Sequence, residues 1–341
     1  MSAVQGTRRV VVTPRHFDWD TTAYLESRGC QVHVAELATG QADGALPRRD
    51  LLALLDGADG WIVGHARVDG ELLQALPRLK VVARRGVGYE RIDTAAVASL
   101  GRVATIAAGG NDASVADHTV AMMLAVLHRL RESQLRMQRG EWDILVGAEL
   151  YRKNVGIVGL GRIGRTLVQR LRGFEVQVLA TSPNWDEAFA REHGIRRMPL
   201  EDLLAASDIV SLHVPLSPST SRLIDARALA RMKPSAILIN TSRGGVVDDA
   251  ALLKALRAGE LAGAGLDVFS SESNEEDQAV TNALIAMPHV VATPHSGAST
   301  REGLVRTNRI AAECIVAVLD GRTPPAGCVV ADGRPLTRAS A

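Results

Sequence analysis

Cysteine is scarce in this chain, and where it occurs it is scattered. Cys30, Cys314 and Cys328 are the only 3 in 341 residues, with none of the paired spacings of a disulfide framework or a zinc site. That usage points to a reducing compartment. Charge of one sign is lacking too. Lys and Arg number 39 against 38 Asp and Glu, a net of +1, which leaves no electrostatic footprint for nucleic acid. No apolar run approaches the roughly 18–20 residues of a membrane-spanning helix. The start of the chain, residues 1–9, is polar and moves straight into an apolar stretch, unlike a signal peptide. His16, His33, His118, His128, His193 and His289 have no cluster spacing with carboxylates or cysteines, so no metal is expected. These absences together predict a soluble, cytoplasmic protein, and the length suggests about two domains.

What is present is a rhythm of short apolar runs and helical patterns. Strands are expected at 9–13, 32–37, 60–63, 79–83 and 103–106, with helices at 21–29, 49–55 and 70–76 between them. Strands alternating with helices imply a parallel sheet covered on both faces. Residues 111–140 break the rhythm with one long helix starting near Ser114. It reads as an interdomain spine or, the reading we favour, as a helix that also contributes to a dimer interface. A second series follows at 155–158, 176–180, 209–212, 237–240, 264–268 and 290–292, the count expected of a doubly wound dinucleotide domain. Residues 301–319 form a last amphipathic helix, and Gly321 opens a polar, proline-containing tail expected to be mobile.

The second series is built around Gly159-Leu160-Gly161-Arg162-Ile163-Gly164, which follows an apolar strand and opens a helical pattern through Leu167, Val168 and Leu171. In that context the first glycine permits a tight turn, the second lets backbone approach a pyrophosphate, and the third lets helix pack on strand. The start of the helix offers unpaired N–H groups to the phosphates. Three later stretches each lie just beyond a strand: Asn240-Thr241-Ser242-Arg243-Gly244-Gly245, Gly265-Leu266-Asp267-Val268-Phe269-Ser270-Ser271-Glu272, and Thr293-Pro294-His295-Ser296-Gly297. An arginine at a strand's carboxyl end can clamp a carboxylate in two-pronged fashion.

Together with the glycine turn, these stretches closely resemble the D-isomer-specific 2-hydroxyacid dehydrogenases, over about residues 60–321. The resemblance implies an α/β chain of two doubly wound parallel-sheet domains. A flavodoxin-like substrate-binding domain (1–107 plus 300–341) would carry an inserted Rossmann-type NAD(P)-binding domain (108–299), with substrate bound in the cleft between them. It also implies that His295 is the acid/base, Glu272 its partner and Arg243 the substrate clamp. The chemistry needs these types: a group titrating near working pH to move a proton, a carboxylate to orient it, and a permanent cation for the substrate carboxylate. Val87 and Gly88 match the family's loop whose N–H groups receive that carboxylate. Ser114 belongs to the segment beside the nicotinamide, Asp267 matches a position near the carboxamide, and His213-Val214-Pro215 one that lines the adenine side. Thr241, Arg162 and Ile163 complete the expected cofactor contacts.

The chain departs from the family at several positions. Ser182 stands where an acidic residue usually holds the ribose 2′-OH, so NADP is allowed beside NAD. Arg85 stands where the carboxylate loop usually has a small residue. It reads equally as a charge for a second anionic group on the substrate and as a salt-bridge residue. His65 and Arg67, in Gly64-His65-Ala66-Arg67, replace an Arg-Ser start typical of phosphoglycerate enzymes, and Ser273-Asn274 replaces a proline. The expected activity is hydride transfer between a nicotinamide cofactor and a D-2-hydroxy acid/2-keto acid pair, in a homodimer without nucleic-acid or membrane partners. The alternative is a dinucleotide-sensing, corepressor-like interaction protein on the same fold.

Overall fold

The computed structural model describes residues 8–272 and 274–335. The polar start, Ser273 and the last six residues of the tail lie outside the described residues. The chain divides into two compact units, Met1–Asn111 with Thr300–Ala341, and Asp112–Ser299. The crossings expected near Ala107 and Ser299 compare with Asn111 and Ser299.

In the first unit the strands are β1 (Arg8–Val12), β2 (Cys30–Val34), β3 (Gly60–Val63), β4 (Val81–Arg84), β5 (Val103–Ile106) and, last in the chain, β13 (Val329–Asp332). They form a sheet ordered β13-β5-β4-β3-β1-β2. Apart from β13 this is the flavodoxin-like order, all parallel. The apolar runs are continuous because both faces are covered. Along β3, Trp61 and Val63 enter one core with Leu51, Leu72 and Val97, while Ile62 enters the other with Ile315 and Cys314 of the helix Arg301–Leu319.

The second unit holds β6 (Asn154–Val158), β7 (Gln177–Thr181), β8 (Arg196–Arg197), β9 (Ile209–Leu212), β10 (Ile237–Asn240), β11 (Gly263–Leu266) and β12 (Val290–Ala292). Their order is β12-β11-β10-β9-β6-β7-β8, parallel throughout. The pattern is that of a doubly wound dinucleotide domain, with order reversal between β6 and β9. Ile237 and Ile239 of β10 face one core and Leu238 the other. The helix Asp112–Leu127 lies on β11 because two glycines let it. A Cβ on Gly263 would stand 2.8 Å from Val126 Cγ1, and one on Gly265 would stand 3.1 Å from Met122 Cβ.

Two expectations are corrected and one unexpected element is added. The long helix is two, Asp112–Leu127 and Leu130–Gln138, broken where Arg129 takes a left-handed φ of 51°. The first is buried along much of its length and the second has no buried residue, so the helical pattern continues while the packing that would straighten it stops. The tail from Gly321 is ordered at 329–332. There β13 pairs antiparallel with β5, Cys328 is buried, and Val330 and Ala331 pack on the core. A lone edge strand gains its stability from a neighbour some 220 residues away in sequence, a pairing no local pattern reports. The short edge strand β8 was not anticipated either, since its two residues are both arginine. Among the described residues no helix is long and apolar enough to cross a membrane, and no group of three or more His, Cys, Asp or Glu could hold a metal.

Candidate active site

The turn after β6 is shaped by what its glycines lack. Gly159 has φ +101°, and a Cβ there would meet the His213 carbonyl oxygen at 2.5 Å. A Cβ on Gly164 would lie 2.3 Å from the Gly159 oxygen, whereas one on Gly161 would meet nothing within 4 Å. Two of the three therefore serve the fold, and Gly161 borders open space. Gly161 is also the N-cap of the helix Arg162–Leu171, which has neither a side-chain cap nor an acidic residue in its first turn. Uncapped N–H groups behind a side-chain-free surface fit a dinucleotide's pyrophosphate. Arg162 is exposed and Ile163 half-buried in that first turn.

The other expected cofactor residues gather at strand ends of the same unit. Ser182 follows β7 directly and is half-buried, its hydroxyl 3.4 Å from the Asn184 carbonyl. His213, just past β9, takes part in a 2.8 Å hydrogen bond with Ser211, and burial pushes its pKa down to about 4. It is neutral at working pH. Val214 reaches the glycine turn, its Cγ1 2.9 Å from where a Gly159 Cβ would be, and Pro215 beside it is exposed. Thr241 is buried beyond β10, its hydroxyl 3.0 Å from that of Thr119. Ser114 is buried in the first turn of its helix.

Glu272 and His295 meet in this unit, and the turn that carries Arg243, whose guanidinium donates to the Ser242 carbonyl at 2.6 Å, lies against the segment before Glu272. Asn240 shapes the first turn: its side-chain oxygen accepts from Ser242 N–H and Oγ at 3.1 and 2.7 Å, and its Nδ2 donates to the Arg243 carbonyl at 3.1 Å. A Cβ on the next residue, Gly244, would fall 2.0 Å from the Phe269 carbonyl oxygen. The turn bearing Arg243 thus abuts, backbone to backbone, the segment leading to Glu272. Glu272 Oε1 accepts the Phe269 N–H at 2.9 Å, and its Oε2 meets His295 Nδ1 at 2.7 Å. Burial raises the Glu272 pKa, but the hydrogen bond and charge of His295, with the Phe269 N–H, outweigh it and hold the carboxyl below its ordinary range. The pair remains open to solutes, with side chains 39% and 38% exposed.

His295 adopts a left-handed φ of 52°, a conformation that needs support. Asp267 provides it. The Asp267 carbonyl accepts the His295 N–H at 2.7 Å, and its carboxylate accepts the N–H groups of Ser296 and Gly297 at 2.8 and 2.9 Å and the Thr293 hydroxyl at 2.5 Å. His118 Nε2 lies 3.0 Å from the Thr293 hydroxyl and 3.5 Å from Asp267. Burial alone would raise the Asp267 carboxyl; the bonds from His118, Thr293, Gly297 and Ser296 bring it below the ordinary range. Its oxygens are engaged with the His295 loop, so Asp267 holds that loop in place. Sequence reading missed His118 here, because its partners stand 149 and 175 positions away.

The expected substrate-side residues lie in the first unit. Val87 and Gly88 are half-buried beyond β4, after Gly86 at φ +146°. His65 is exposed, and its N–H and that of Gly64 donate to the buried carboxylate of Asp43, which also accepts the Thr13 hydroxyl at 2.7 Å. Asp43 is a second residue the sequence did not single out. Arg85 donates to the Arg15 carbonyl; burial lowers its pKa while the charge of Asp43 raises it. Its guanidinium is engaged inside its own unit.

Comparison with known proteins identifies the family and the fold. The profile of the D-isomer specific 2-hydroxyacid dehydrogenase NAD binding domain matches residues 120–297. D-3-phosphoglycerate dehydrogenase of Mycobacterium bovis is 40% identical over 291 residues, 84% of this chain and 54% of that protein. Glyoxylate reductase of Korarchaeum cryptofilum is 38% identical over 264 residues, 76% of this chain and 78% of that protein. The chain spans about half the length of the phosphoglycerate dehydrogenases it matches. Among solved structures, the TT0316 protein of Thermus thermophilus superposes with a TM-score of 0.81 at 35% identity, covering 94% of this chain and 99% of that one. D-lactate dehydrogenase of Aquifex aeolicus, solved with NAD and lactic acid, gives 0.81 at 27% identity, covering 96% and 100%. With the glycine turn, the two doubly wound sheets and these likenesses in agreement, the chain belongs to the D-isomer specific 2-hydroxyacid dehydrogenase family.

Proposed function

We propose that the chain is an NAD(P)-dependent oxidoreductase interconverting a D-2-hydroxy acid and its 2-keto acid. The observation that carries this reading is the 2.7 Å contact between His295 Nδ1 and Glu272, beyond the strand ends and beside the turn of Arg243. With Nδ1 committed to the carboxylate, Nε2 is the nitrogen that delivers a proton to the substrate carbonyl oxygen, or takes it from the hydroxyl in the reverse direction. Glu272 fixes the ring and stabilises its cationic form. Arg243 binds the substrate carboxylate and polarises the carbonyl. A nicotinamide cofactor, held through Gly159, Gly161 and Gly164, supplies or accepts the hydride. Val87, Gly88 and His65 are proposed as substrate-side residues. The inward bond of Arg85 and its closeness in charge to Asp43 argue for a structural part in that loop over recognition of a second anion.

Both NAD and NADP are proposed as cofactors, because Ser182 brings no carboxylate to repel a 2′-phosphate. A cytoplasmic homodimer completes the reading. The buried free thiols of Cys30, Cys314 and Cys328 suit a reducing compartment. For the dimer the support is a set of exposed apolar side chains on the second unit. Leu130, Met137, Trp142, Ile144, Val146 and Tyr151 are all exposed, Ile144 at 93%, and Val146 lines a groove of about 550 Å³ walled by Val126, Leu256 and Leu261.

The test is the change in nicotinamide absorbance as the cofactor is oxidised or reduced. Glyoxylate is offered with NADH or NADPH, and D-lactate and D-3-phosphoglycerate with the oxidised forms. Turnover of one pair is expected, and His295→Ala or Arg243→Ala should cut kcat by about 10²–10⁴-fold while cofactor binding survives. Cofactor binding without turnover of any 2-keto or 2-hydroxy acid would overturn the enzyme reading in favour of a dinucleotide sensor.

A further inference from the structure

Asp249 opens the helix Asp249–Arg257, directly after the turn of Arg243. A carboxylate in a first helical turn usually needs no special account, since it caps the helix or meets its dipole. Here the cap is Asp248, whose side chain accepts the Ala251 N–H at 3.0 Å. Asp249 does something else. It is only 7% exposed, and its Oδ2 accepts the N–H of Ser270 at 2.9 Å, across 21 positions of sequence. Ser270 is the first residue of the short turn Ser270–Glu272. The same point is where Gly244 leaves no room, a Cβ there falling 2.9 Å from Ser270 N as well as 2.0 Å from the Phe269 oxygen. The Arg243 turn, the helix after it and the Glu272 turn therefore share one contact.

That bond is made at a cost. Burial holds the Asp249 carboxyl above its ordinary range; the backbone and side-chain bonds of Ser270 oppose the rise, and the charges of Asp277 and Asp248 add to it. A buried carboxylate that the helix does not need for capping is a poor choice for stability alone.

We propose that Asp249 is a positioning residue for the acid–base pair: through the Ser270 N–H it fixes the turn that presents Glu272 to His295. This rests on the acid–base reading of that pair. Glu272 is also faced by Asp267, whose charge acts against its ionisation, so the register of the turn decides how far the His295 bond prevails.

A double-mutant cycle in the full chain tests the proposal. Asp249→Ala is expected to lower kcat about 10–100-fold while the cofactor Kd stays within about 2-fold. On a Glu272→Gln background the same change should cost less than about 2-fold, because the residue it acts through is already disabled. Asp249→Asn, whose amide oxygen still accepts the Ser270 N–H, should recover most of the loss. Equal losses on both backgrounds, or Asp249→Asn as impaired as Asp249→Ala, would overturn it. A second readout needs no turnover: the ¹³C carboxyl titration of Glu272, assigned with Glu272→Gln, should move upward in Asp249→Ala. If the wild-type chain turns over no substrate, the functional reading fails and this titration alone decides the positioning role. Should Asp249→Ala not fold, Asp249→Leu, which fills similar space without an acceptor for the Ser270 N–H, takes its place and should move the Glu272 titration the same way; an unmoved titration refutes the proposal.

Discussion

Glu272 and Asp249 show how one neighbourhood drives two carboxyls apart. Both lose water, but Glu272 gains the imidazole of His295 and is held low, while Asp249 gains only Ser270 and stays high. The sequence marks Glu272 through its place beyond a strand and through the family resemblance; nothing local distinguishes Asp249 from any first-turn aspartate. His213 is the residue whose titration should be visible in stability. Its pKa is lowered from 6.5 to about 4 by burial, so the unfolded chain takes up a proton in that window and the folded chain does not. Stability therefore falls as pH drops from 6.5 towards 4, and is not further affected by this group below it. Replacing His213 by Gln should flatten the fall. Thermal melts of both proteins across that interval check it: a gap that is the same at pH 4 and pH 7 would mean His213 titrates normally.

The turn between β6 and its helix separates folding from function at the scale of an element. Gly161→Ala places a methyl in open space, with an ordinary N-cap backbone at φ −78°, so the melting temperature should hold within about 1–2 °C. Cofactor affinity should drop about 10-fold or more, because the methyl occupies the surface the pyrophosphate needs. Gly164→Ala puts its methyl 2.3 Å from a backbone oxygen and should cost about 1–3 kcal/mol of stability. Calorimetry and cofactor titration on the two variants give opposite patterns if the assignment is right; equal loss of affinity without loss of stability in both would refute it. Elements of this kind were legible beforehand, since apolar runs of four or five residues and a glycine turn are local signals. The break at Arg129, the arginine pair of β8 and the late strand β13 were not, because each is decided by what packs or pairs alongside.

For the whole molecule, the exposed apolar side chains between Leu130 and Tyr151 are the feature a lone chain leaves unexplained. If a second copy covers them, Ile144→Asp should shift sedimentation from dimer towards monomer with little change in the melting of the isolated chain. A wild-type chain that sediments as a monomer at micromolar concentration would remove the dimer from the proposal. The sequence by itself determined the fold class and the dinucleotide turn, because strand periodicity and glycine spacing are properties of neighbouring residues, and it singled out Arg243, Glu272 and His295 through the family resemblance. Only the tertiary structure decided that Gly244 brings two turns together, that Asp267 and His118 hold the His295 loop, that Asp43 anchors Gly64 and His65, and that the tail closes a sheet edge. Those contacts join residues 20 to more than 200 positions apart. They exist because chain closure and close packing select them together, and no single stretch carries that information.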